Sequence, residues 1–258
     1  MANLPEIALL IITFNRAEEL RKTIDALQEH LQYPDDKLHV VISDDSSPSN
    51  YLSPLKRTKS LKTWGVNGVN FRTTDERSGW GKHVNGALDY IKATYPSVDY
   101  VFQIEDDYVL TQDLNLRLGV ALLETRPNIG MLRYRGTAGM HYIYHQFESN
   151  ISAYNLSEDN LTYLQLDNAS HSLYVYSNGP HLKRIRSHQD NHPDFHQHYG
   201  KYPEGRVLGH TEESFANMVK DGMKLGNAPA IAILPDWINM RFSHIGATWQ
   251  GSEDDIGE

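Results

Sequence analysis

The chain has 258 residues, of which 24 are Lys or Arg and 33 are Asp or Glu, so its formal net charge is −9. This balance disfavours a protein that mainly coats nucleic acid, because phosphate binding needs clustered cations. The absence of cysteine excludes a disulfide scaffold, a thiolate zinc site and a cysteine nucleophile. The longest apolar run, Ile7 to Ile12, is far shorter than the roughly 20 residues of a membrane span, and no signal-peptide pattern precedes it. We therefore expect a soluble, cytoplasmic protein.

The first half of the chain alternates strand patterns with helix patterns. A continuous apolar run from Ile7 to Phe14 predicts a strand buried on both faces of a sheet. Asn15 is a predicted N-cap, and the helix that it starts has one apolar face, formed by Leu20, Ile24, Leu27 and Leu31. Further strands are predicted at Leu38 to Ser43, Asn70 to Thr73 and Tyr100 to Ile104, and a second helical stripe at Val84, Leu88, Ile91 and Tyr95. This alternation is typical of an α/β domain with a Rossmann-like, mostly parallel sheet flanked by helices.

The second half has a different character. Tyr134 to Tyr176 is rich in Tyr, Asn, Ser and Thr and has alternating stretches such as Ser172 to Ser177, which predicts antiparallel strands and long loops. His181 to Tyr202 has many His and Pro residues and little apolar periodicity, so we interpret it as a loop-rich, mobile segment. Ala230 to Leu234 predicts a further strand. The last eight residues, 251–258, are acidic and predict a disordered tail.

A helix is predicted at Thr211 to Asp221, and Gly222 is expected to end it. Its apolar face is formed by Phe215, Met218 and Val219. Glu212 and Glu213 follow Thr211 directly. By themselves these residues fit an ordinary helix start, with Thr211 as the N-cap and the two acids in the first turn.

Two acidic clusters follow predicted strands, and they are the most informative feature of the sequence. Asp44 and Asp45 end the second strand, and Glu105, Asp106 and Asp107 end the strand that begins at Tyr100. Ligands of open α/β sheets bind outside the carboxyl ends of the strands, so we expect both clusters to face one crevice. Crowded carboxylates repel one another unless protons or a cation compensate, and Mg²⁺ or Mn²⁺ accepts oxygen ligands together with substrate phosphates. The alternatives are a solvated acidic loop for the second cluster and ordinary turn chemistry for the first.

Several common site types are disfavoured. Pro193 breaks the helix that would align a zinc-binding set of histidines, which would be His188, His192, His196 and His198. The first strand is not followed by Gly-x-Gly-x-x-Gly, which counts against a dinucleotide oxidoreductase. Neither a Gly-Lys-Ser/Thr phosphate loop nor a Gly-x-Ser-x-Gly nucleophile elbow occurs in the sequence.

Taken together and in this order, the motifs resemble the family 2 glycosyltransferases of the GT-A fold, and the resemblance covers nearly the whole chain. In that family the residues that end the first strand line the nucleotide pocket, which implies nucleotide-binding roles for Thr13, Asn15 and Arg16. An acidic pair ends the second strand. The resemblance implies that Asp45 binds the base and that Asp44 supports the pocket.

The metal motif of the family, Asp-x-Asp, is present here as Glu105-Asp106-Asp107. This Glu-Asp-Asp form is similar to that of the N-acetylglucosaminyltransferases of the same fold. The resemblance implies that Asp107 binds Mn²⁺ or Mg²⁺ directly and that Glu105 and Asp106 lie nearer the ribose and the metal's waters. A late histidine often completes the metal site of this fold, and His244 is placed for that role.

Family members also have a Thr-Glu-Asp-like motif at a helix start, whose last acid is the catalytic base. Glu213 takes that place here, and the departure from Asp leaves Glu212 as the alternative base. A base on the face of the sugar opposite the leaving group gives direct displacement with inversion. Arg77 and Lys82 flank a Gly-rich loop and are candidates for stabilising the negative charge that develops on the diphosphate.

The implied enzyme is an inverting, metal-dependent hexosyl- or pentosyltransferase that uses a nucleotide sugar, UDP-linked sugars among the candidates, and an acceptor hydroxyl. The resemblance implies one GT-A domain over residues 1–250, with a nucleotide-binding half (1–130) and a smaller, antiparallel acceptor-binding half (131–250). The acceptor stays open between a glycan, a small molecule, a protein and a hydroxymethylated base in DNA.

The alternatives concern both the acceptor and the activity. Net acidity argues against a DNA acceptor, whereas the basic stretches Lys56 to Lys62 and Lys183 to Arg186 favour one. A catalytically inactive nucleotide- or glycan-binding protein on the same scaffold is a second alternative. A sugar-phosphate nucleotidyltransferase is disfavoured, because the Gly-rich loop after the first strand is missing.

Overall fold

The computed structural model describes residues 4–48, 50–134, 151–156, 159–166, 178–187, 194–204, 208–224, 229–233 and 242–245. The strands are β1 (Glu6–Thr13), β2 (Leu31–Gln32), β3 (Leu38–Asp44), β4 (Val69–Thr73), β5 (Val98–Glu105), β6 (Tyr108–Leu110), β7 (Leu114–Asn115), β8 (Ile129–Arg133), β9 (Ile151–Leu156), β10 (Asp159–Leu166), β11 (His181–Arg184), β12 (Ala230–Ile233) and β13 (Phe242–His244). The α-helices are α1 (Ala17–His30), α2 (Ser53–Lys56), α3 (Lys59–Lys62), α4 (Trp80–Thr94), α5 (Leu116–Thr125), α6 (Phe195–Tyr199) and α7 (Leu208–Lys224).

A nine-stranded sheet organises the chain, with the strand order β4-β3-β1-β5-β11-β8-β12-β10-β9. The four strands β4, β3, β1 and β5 are mutually parallel, and β12 is parallel to β8. β11 is antiparallel to both of its neighbours, and β9 and β10 form an antiparallel edge. The predicted α/β class with a mostly parallel sheet is confirmed. The strands of the second half join the sheet of the first half.

The apolar pattern of β1 explains why the sheet is covered on both faces. Leu9 and Ile11 point into a core shared with α1 and α5, whereas Ala8 and Leu10 point into a second core shared with α4, α6 and α7. All four side chains are 0% exposed. The predicted stripe of α4 lies in the second core, as expected. A strand with apolar residues on both faces is therefore stable only in a sheet that helices cover on both sides.

The register of the parallel strands brings their carboxyl ends to one edge. Thr13 at the end of β1 is opposite Asp44 in β3, and Ile12 is opposite Glu105 in β5. The acidic clusters that follow β3 and β5 consequently flank the end of β1 on its two sides. The predicted convergence of the clusters at one edge of the sheet is confirmed for these strands.

The segment His181 to Tyr202 departs from its prediction. Its first four residues form β11 in the middle of the sheet, and α6 lies further along, so a loop is wrong for both regions. Lys183 and Arg184 are both 0% exposed, and the predicted basic surface cluster around them is therefore wrong. Residues 188–193 lie outside the described residues. The strand was not predicted because most of its side chains are polar, whereas a buried strand was expected to be apolar.

Two helix starts also differ from their predictions. The N-cap position of α1 is held by Arg16 without a side-chain hydrogen bond, whereas Asn15 adopts a left-handed φ of 54° that asparagine tolerates. α7 begins at Leu208, so Thr211 lies inside the helix, and α7 continues past Gly222 to Lys224.

The remaining predictions on the second half have mixed outcomes. Antiparallel strands are confirmed by the β9–β10 pair, whereas residues 172–177 and the acidic tail 251–258 lie outside the described part of the chain. Within the described ranges, we find no helix with the length and apolar character needed to cross a membrane.

Candidate active site

Asp106 links the end of β1 to the end of β5. Its Oδ2 accepts a hydrogen bond of 2.7 Å from Thr13 Oγ1, and its backbone oxygen accepts one of 2.6 Å from Thr23 Oγ1 in α1. Burial raises the pKa of Asp106 to about 7, the charge of Asp107 acts in the same direction, and the Thr13 hydrogen bond and Arg16 oppose the shift. Asp106 is therefore turned into the protein, where it fixes the two strand ends relative to each other.

Asp107 follows the end of β5, and its side chain is almost fully buried. Its Oδ2 lies 3.1 Å from His244 Nε2, and its backbone oxygen accepts a hydrogen bond of 2.8 Å from Ile245 N. Its Oδ1 is buried and has no hydrogen-bond partner among the described residues. The structure thus brings Asp107 and His244 together as predicted, because β13 pairs with β6 and places His244 opposite Tyr108.

The chemistry of this donor set fits a hard divalent cation. An orphaned carboxylate oxygen and an adjacent imidazole nitrogen are suitable ligands, and Mg²⁺ typically uses few protein ligands together with water and substrate phosphate. Within the described ranges, no group of three or more His, Asp or Glu side chains surrounds a single point. A cation bound here would therefore need oxygen ligands from substrate or water in addition to the pair Asp107 and His244.

Arg16 neutralises the two aspartates. Its guanidinium pairs with Asp107 Oδ2, and its Nη1 lies 3.6 Å from Asp106 Oδ1. The side chain is 32% exposed, so the guanidinium is held at the rim of the crevice. A cation of the protein therefore occupies the position at which the sequence predicted a metal-bound nucleotide.

Glu105 has a partner that sequence reasoning missed. Trp80, the first residue of α4, donates a hydrogen bond of 2.8 Å from Nε1 to Glu105 Oε1. Trp80 follows Gly79, whose φ of 81° allows the sharp entry into the helix. The signal available in the sequence was the Gly79-Trp80-Gly81 run, although nothing in it indicated a carboxylate partner.

Asp45 organises the loop before α4. Its oxygens accept hydrogen bonds from Ser78 N at 2.8 Å, Ser78 Oγ at 2.8 Å, Gly79 N at 3.0 Å and Thr74 Oγ1 at 3.2 Å. Asp45 is 5% exposed. The predicted contact of Asp45 with a base stays a prediction, and the structure adds an internal role to it.

Asp44 links the loops after β1 and β3. Its Oδ2 accepts a hydrogen bond of 3.0 Å from Ser47 N, and its Oδ1 accepts one from the Ser47 hydroxyl. Ser47 Oγ in turn accepts a hydrogen bond of 2.8 Å from Asn15 N. The predicted supporting role of Asp44 agrees with this chain of contacts, although a nucleotide contact stays a prediction.

The remaining predicted site residues are Arg77, Lys82, Glu212 and Glu213. Arg77 lies over the ring of Phe14, with Cζ 4.4 Å from the ring centroid, and Lys82 is exposed in the first turn of α4. Glu212 and Glu213 lie in α7, and the structure describes only the backbone there. Further along α7, Phe215 and Val219 are buried as predicted, whereas Met218 is 39% exposed.

Solved structures share this architecture. The mannosyltransferase PcManGT from Pyrobaculum calidifontis, solved with GDP-Man and Mn²⁺, matches with a TM-score of 0.58 at 15% identity, over 90% of this chain and 57% of that one. S. aureus TarS 1-349 in complex with UDP-GlcNAc matches with a TM-score of 0.58 at 15% identity, over 98% of this chain and 61% of that one. GalNAc-T7, solved with UDP, GalNAc and Mn²⁺, has a TM-score of 0.60 at 14% identity, over 91% and 43%.

These likenesses establish the GT-A fold, and the chain spans less than two thirds of each of those three chains. No functionally curated protein matches the sequence. A family model described as "Glycosyl transferase family 2" matches residues 8–199, which include the strand ends that carry both acidic clusters. The chain therefore belongs to glycosyl transferase family 2.

Proposed function

We propose that this chain is an inverting, divalent-metal-dependent glycosyltransferase that moves a sugar from a nucleotide-sugar donor to an acceptor hydroxyl. The observation that carries the proposal is the pair Asp107 and His244 at the carboxyl edge of the sheet, with Asp107 Oδ1 buried and unpartnered among the described residues. The solved structures of similar fold support it, since two of them contain Mn²⁺ and either GDP-Man or UDP with GalNAc.

Asp107 and His244 are the residues that would hold Mn²⁺ or Mg²⁺. When bound, such a cation neutralises the negative charge that develops on the diphosphate leaving group. Arg16 lies within reach of the same charge, because it already pairs with Asp107 at the rim. We assign Arg16 to the diphosphate when a donor is bound. The exposed Arg77 and Lys82 are secondary candidates for the same role.

The nucleoside would lie at the edge formed by the ends of β1 and β3. Thr13 and Asp106 hold β1 against β5, and Asp44 joins the loop at Asn15 through Ser47. Asp45 shapes the loop that leads to Trp80. These hydrogen bonds already order the residues that are proposed to line the nucleotide pocket. Donor binding therefore costs little conformational entropy of the protein. Glu105, held by Trp80, is the proposed partner of the ribose.

The catalytic base is assigned to Glu213, with Glu212 as the alternative. The carboxylate accepts the proton of the acceptor hydroxyl while the oxygen attacks the anomeric carbon. The bond from that carbon to the diphosphate oxygen breaks as the new bond forms, and the nucleoside diphosphate departs with the electron pair. Attack from the face opposite the leaving group inverts the anomeric configuration.

A panel of nucleotide sugars tests the proposal, with thermal stability measured in Mn²⁺ and in EDTA. A bound donor raises the unfolding temperature by mass action, so the correct donor is the one that stabilises only with metal. The stabilising donor is then incubated with candidate acceptors, and NMR reports the anomeric configuration of the product. Stabilisation without any metal dependence, or a product with retained configuration, contradicts the proposal. Stabilisation without transfer to any acceptor favours the inactive binding protein.

The DNA acceptor loses part of its support. Lys183 and Arg184 are buried, whereas the cations of the other basic stretch stay exposed on α2 and α3 and between them, namely Lys56, Arg57, Lys59 and Lys62. A hydroxymethylated oligonucleotide therefore belongs in the acceptor panel beside glycans and small alcohols.

A further inference from the structure

A buried polar cluster lies one layer beneath Glu105. Gln103 precedes Glu105 by two residues on β5, so both side chains point to the face covered by α4, α6 and α7. Gln103 and Lys183 are 0% exposed, and Tyr202 is 1% exposed. Lys183 Nζ donates to Gln103 Oε1 at 2.9 Å and to the Tyr202 hydroxyl at 2.7 Å. Three polar side chains from three separate parts of the chain therefore meet inside the second core.

Burying this polar cluster costs free energy that an apolar core would not cost, which indicates a role beyond packing. A buried ammonium group costs free energy, and burial lowers the pKa of Lys183 well below its ordinary value. Nζ also lies 4.9 Å from the centroid of the Tyr202 ring. Because Lys183 donates to both Gln103 and Tyr202, it restricts the position of the Tyr202 hydroxyl.

The backbone of Tyr202 is restrained independently by α4. The side chain of Asn85 accepts a hydrogen bond of 3.0 Å from Tyr202 N and donates one of 2.8 Å to Tyr202 O. This pair of bonds imitates the pairing between two strands, although Asn85 belongs to a helix. Tyr202 is thus held at its backbone by α4 and at its hydroxyl by β11.

The ring of Tyr202 connects two parts of the proposed active site. On one side the Trp80 ring packs edge-on against it, with the centroids 4.9 Å apart, and Trp80 Nε1 donates to Glu105. On the other side the Phe215 ring of α7 lies 4.4 Å away, centroid to centroid. Phe215 follows Glu213 by two residues in the same helix. Direct contacts therefore lead from Glu105 through Trp80 and Tyr202 to the helix of the proposed base.

We propose that Tyr202, held by Asn85 and Lys183, is a positioning residue that sets the place of α7 relative to the donor-side carboxylate Glu105. The proposal rests on the proposed function, because it takes α7 to carry the catalytic base. A base that is misplaced by about 1 Å can cost about 10²-fold in rate, which gives a ring wedged between the two elements a direct influence on kcat.

Tyr202→Leu and Tyr202→Phe test the proposal together. Leucine removes both ring contacts, so we expect kcat to fall at least about tenfold while KM for the donor and the nucleotide affinity in Mn²⁺ change less than twofold. Phenylalanine keeps the ring between Trp80 and Phe215 but loses the hydrogen bond from Lys183, so its kcat should lie between that of Tyr202→Leu and that of the wild type. An unchanged kcat in Tyr202→Leu overturns the proposal, and so does a Tyr202→Phe variant that is as slow as Tyr202→Leu.

Tyr199→Phe is a control for a general loss of core stability. Tyr199 is a buried tyrosine of the same core whose hydroxyl donates to Pro229 O. It should lose stability without losing kcat. If Tyr199→Phe lowers kcat as much as Tyr202→Leu does, the effect is a general loss of stability and the positioning role is wrong.

Hydrogen exchange of the α7 amides separates this inference from the proposed function. Tyr202→Leu should speed exchange in α7 more than Tyr199→Phe does, whether or not a donor has been identified. Unchanged protection of α7 in Tyr202→Leu overturns the inference even if the wild type proves to be an active transferase. Conversely, a wild type that transfers no sugar refutes the proposed function, and the exchange measurement still decides whether Tyr202 positions α7.

Discussion

His244 Nε2 lies 3.1 Å from Asp107 Oδ2, although 137 residues separate the two along the chain. The contact depends on the antiparallel pairing of β13 with β6, which carries the late histidine back to the end of β5. Ile245 N reinforces it by donating to the backbone oxygen of Asp107. A mutation that disturbs this pairing should therefore act on the proposed metal site from a distance.

Asp107→Asn should abolish the metal dependence of nucleotide binding. The carboxylate is the proposed link between cation and diphosphate. Loss of a residue that hydrogen-bonds to a metal ligand typically lowers metal affinity about 10- to 100-fold, and loss of the ligand itself should cost at least as much. Calorimetry with UDP and GDP, in Mn²⁺ and in EDTA, measures the effect. Asp113→Asn is the control, because the Asp113 side chain is 66% exposed and contacts His30. Equal metal enhancement in Asp107→Asn and the wild type would exclude Asp107 as the ligand.

Arg16→Gln should bind Mn²⁺ more tightly in the absence of nucleotide. The guanidinium pairs with Asp107 and competes with an incoming cation. A partly exposed ion pair is worth about 0.5–1 kcal/mol, so we expect a gain of about two- to fivefold in affinity. Titration followed by the EPR signal of free Mn²⁺ measures it. In the presence of Mn²⁺ the same variant should bind the nucleotide diphosphate more weakly, and a variant that binds both ligands as the wild type does contradicts the assignment.

Glu213→Gln should lower the transfer rate by about 10²–10⁴-fold, because it preserves the shape of the side chain and removes the proton acceptor. The nucleotide affinity should hardly change. Glu212→Gln is the internal control, and single-turnover transfer assays compare the two. If Glu212→Gln abolishes transfer while Glu213→Gln stays active, the assignment is displaced by one residue. If both variants transfer normally to a confirmed acceptor, neither acid is the base.

Two histidines, His181 and His196, should lower the stability of the folded protein as the pH falls below about 6.5, the ordinary value for histidine, whereas Asp106, with its pKa raised to about 7, acts in the opposite direction. Burial lowers the pKa of His181 and of His196 well below that value, and the charge of Lys183 acts in the same direction on both. Between the folded and the unfolded pKa the unfolded chain binds more protons, so stability rises with pH there and is lost on acidification. Each histidine contributes at most about 1.4 kcal/mol per pH unit.

Urea unfolding at pH 7.5, 6.5 and 5.5 measures this acid sensitivity. His196→Leu should make the acid branch of the stability profile shallower, because one histidine whose pKa is lowered by folding no longer takes up a proton on unfolding. His198→Leu is the matched control, since His198 is an exposed residue of the same helix, α6. Identical acid branches in His196→Leu and the wild type would show that His196 does not carry the effect.

Local sequence patterns determined the framework of the first half of the chain. The apolar run of β1 leaves no polar face, so it requires cover on both sides, and the acids after β3 and β5 have to lie where parallel strands end. The helix α4 was predicted from its apolar spacing and is buried along that stripe. These features depend on residues that are neighbours in the chain, which is why periodicity is sufficient to predict them.

Only the tertiary structure decided which polar residues lie inside. β11 carries Lys183 and Arg184 into the middle of the sheet, which no hydrophobic pattern indicates, because their burial depends on partners that other elements supply. Lys183 finds Gln103 and Tyr202, and Arg184 finds the backbone oxygen of Leu123. Asp45, predicted to contact a ligand, also organises a loop 29–34 residues away, which its sequence position did not indicate. Hydrogen bonds between distant residues set the free energy of burying a polar group, and they exist only once the chain has folded.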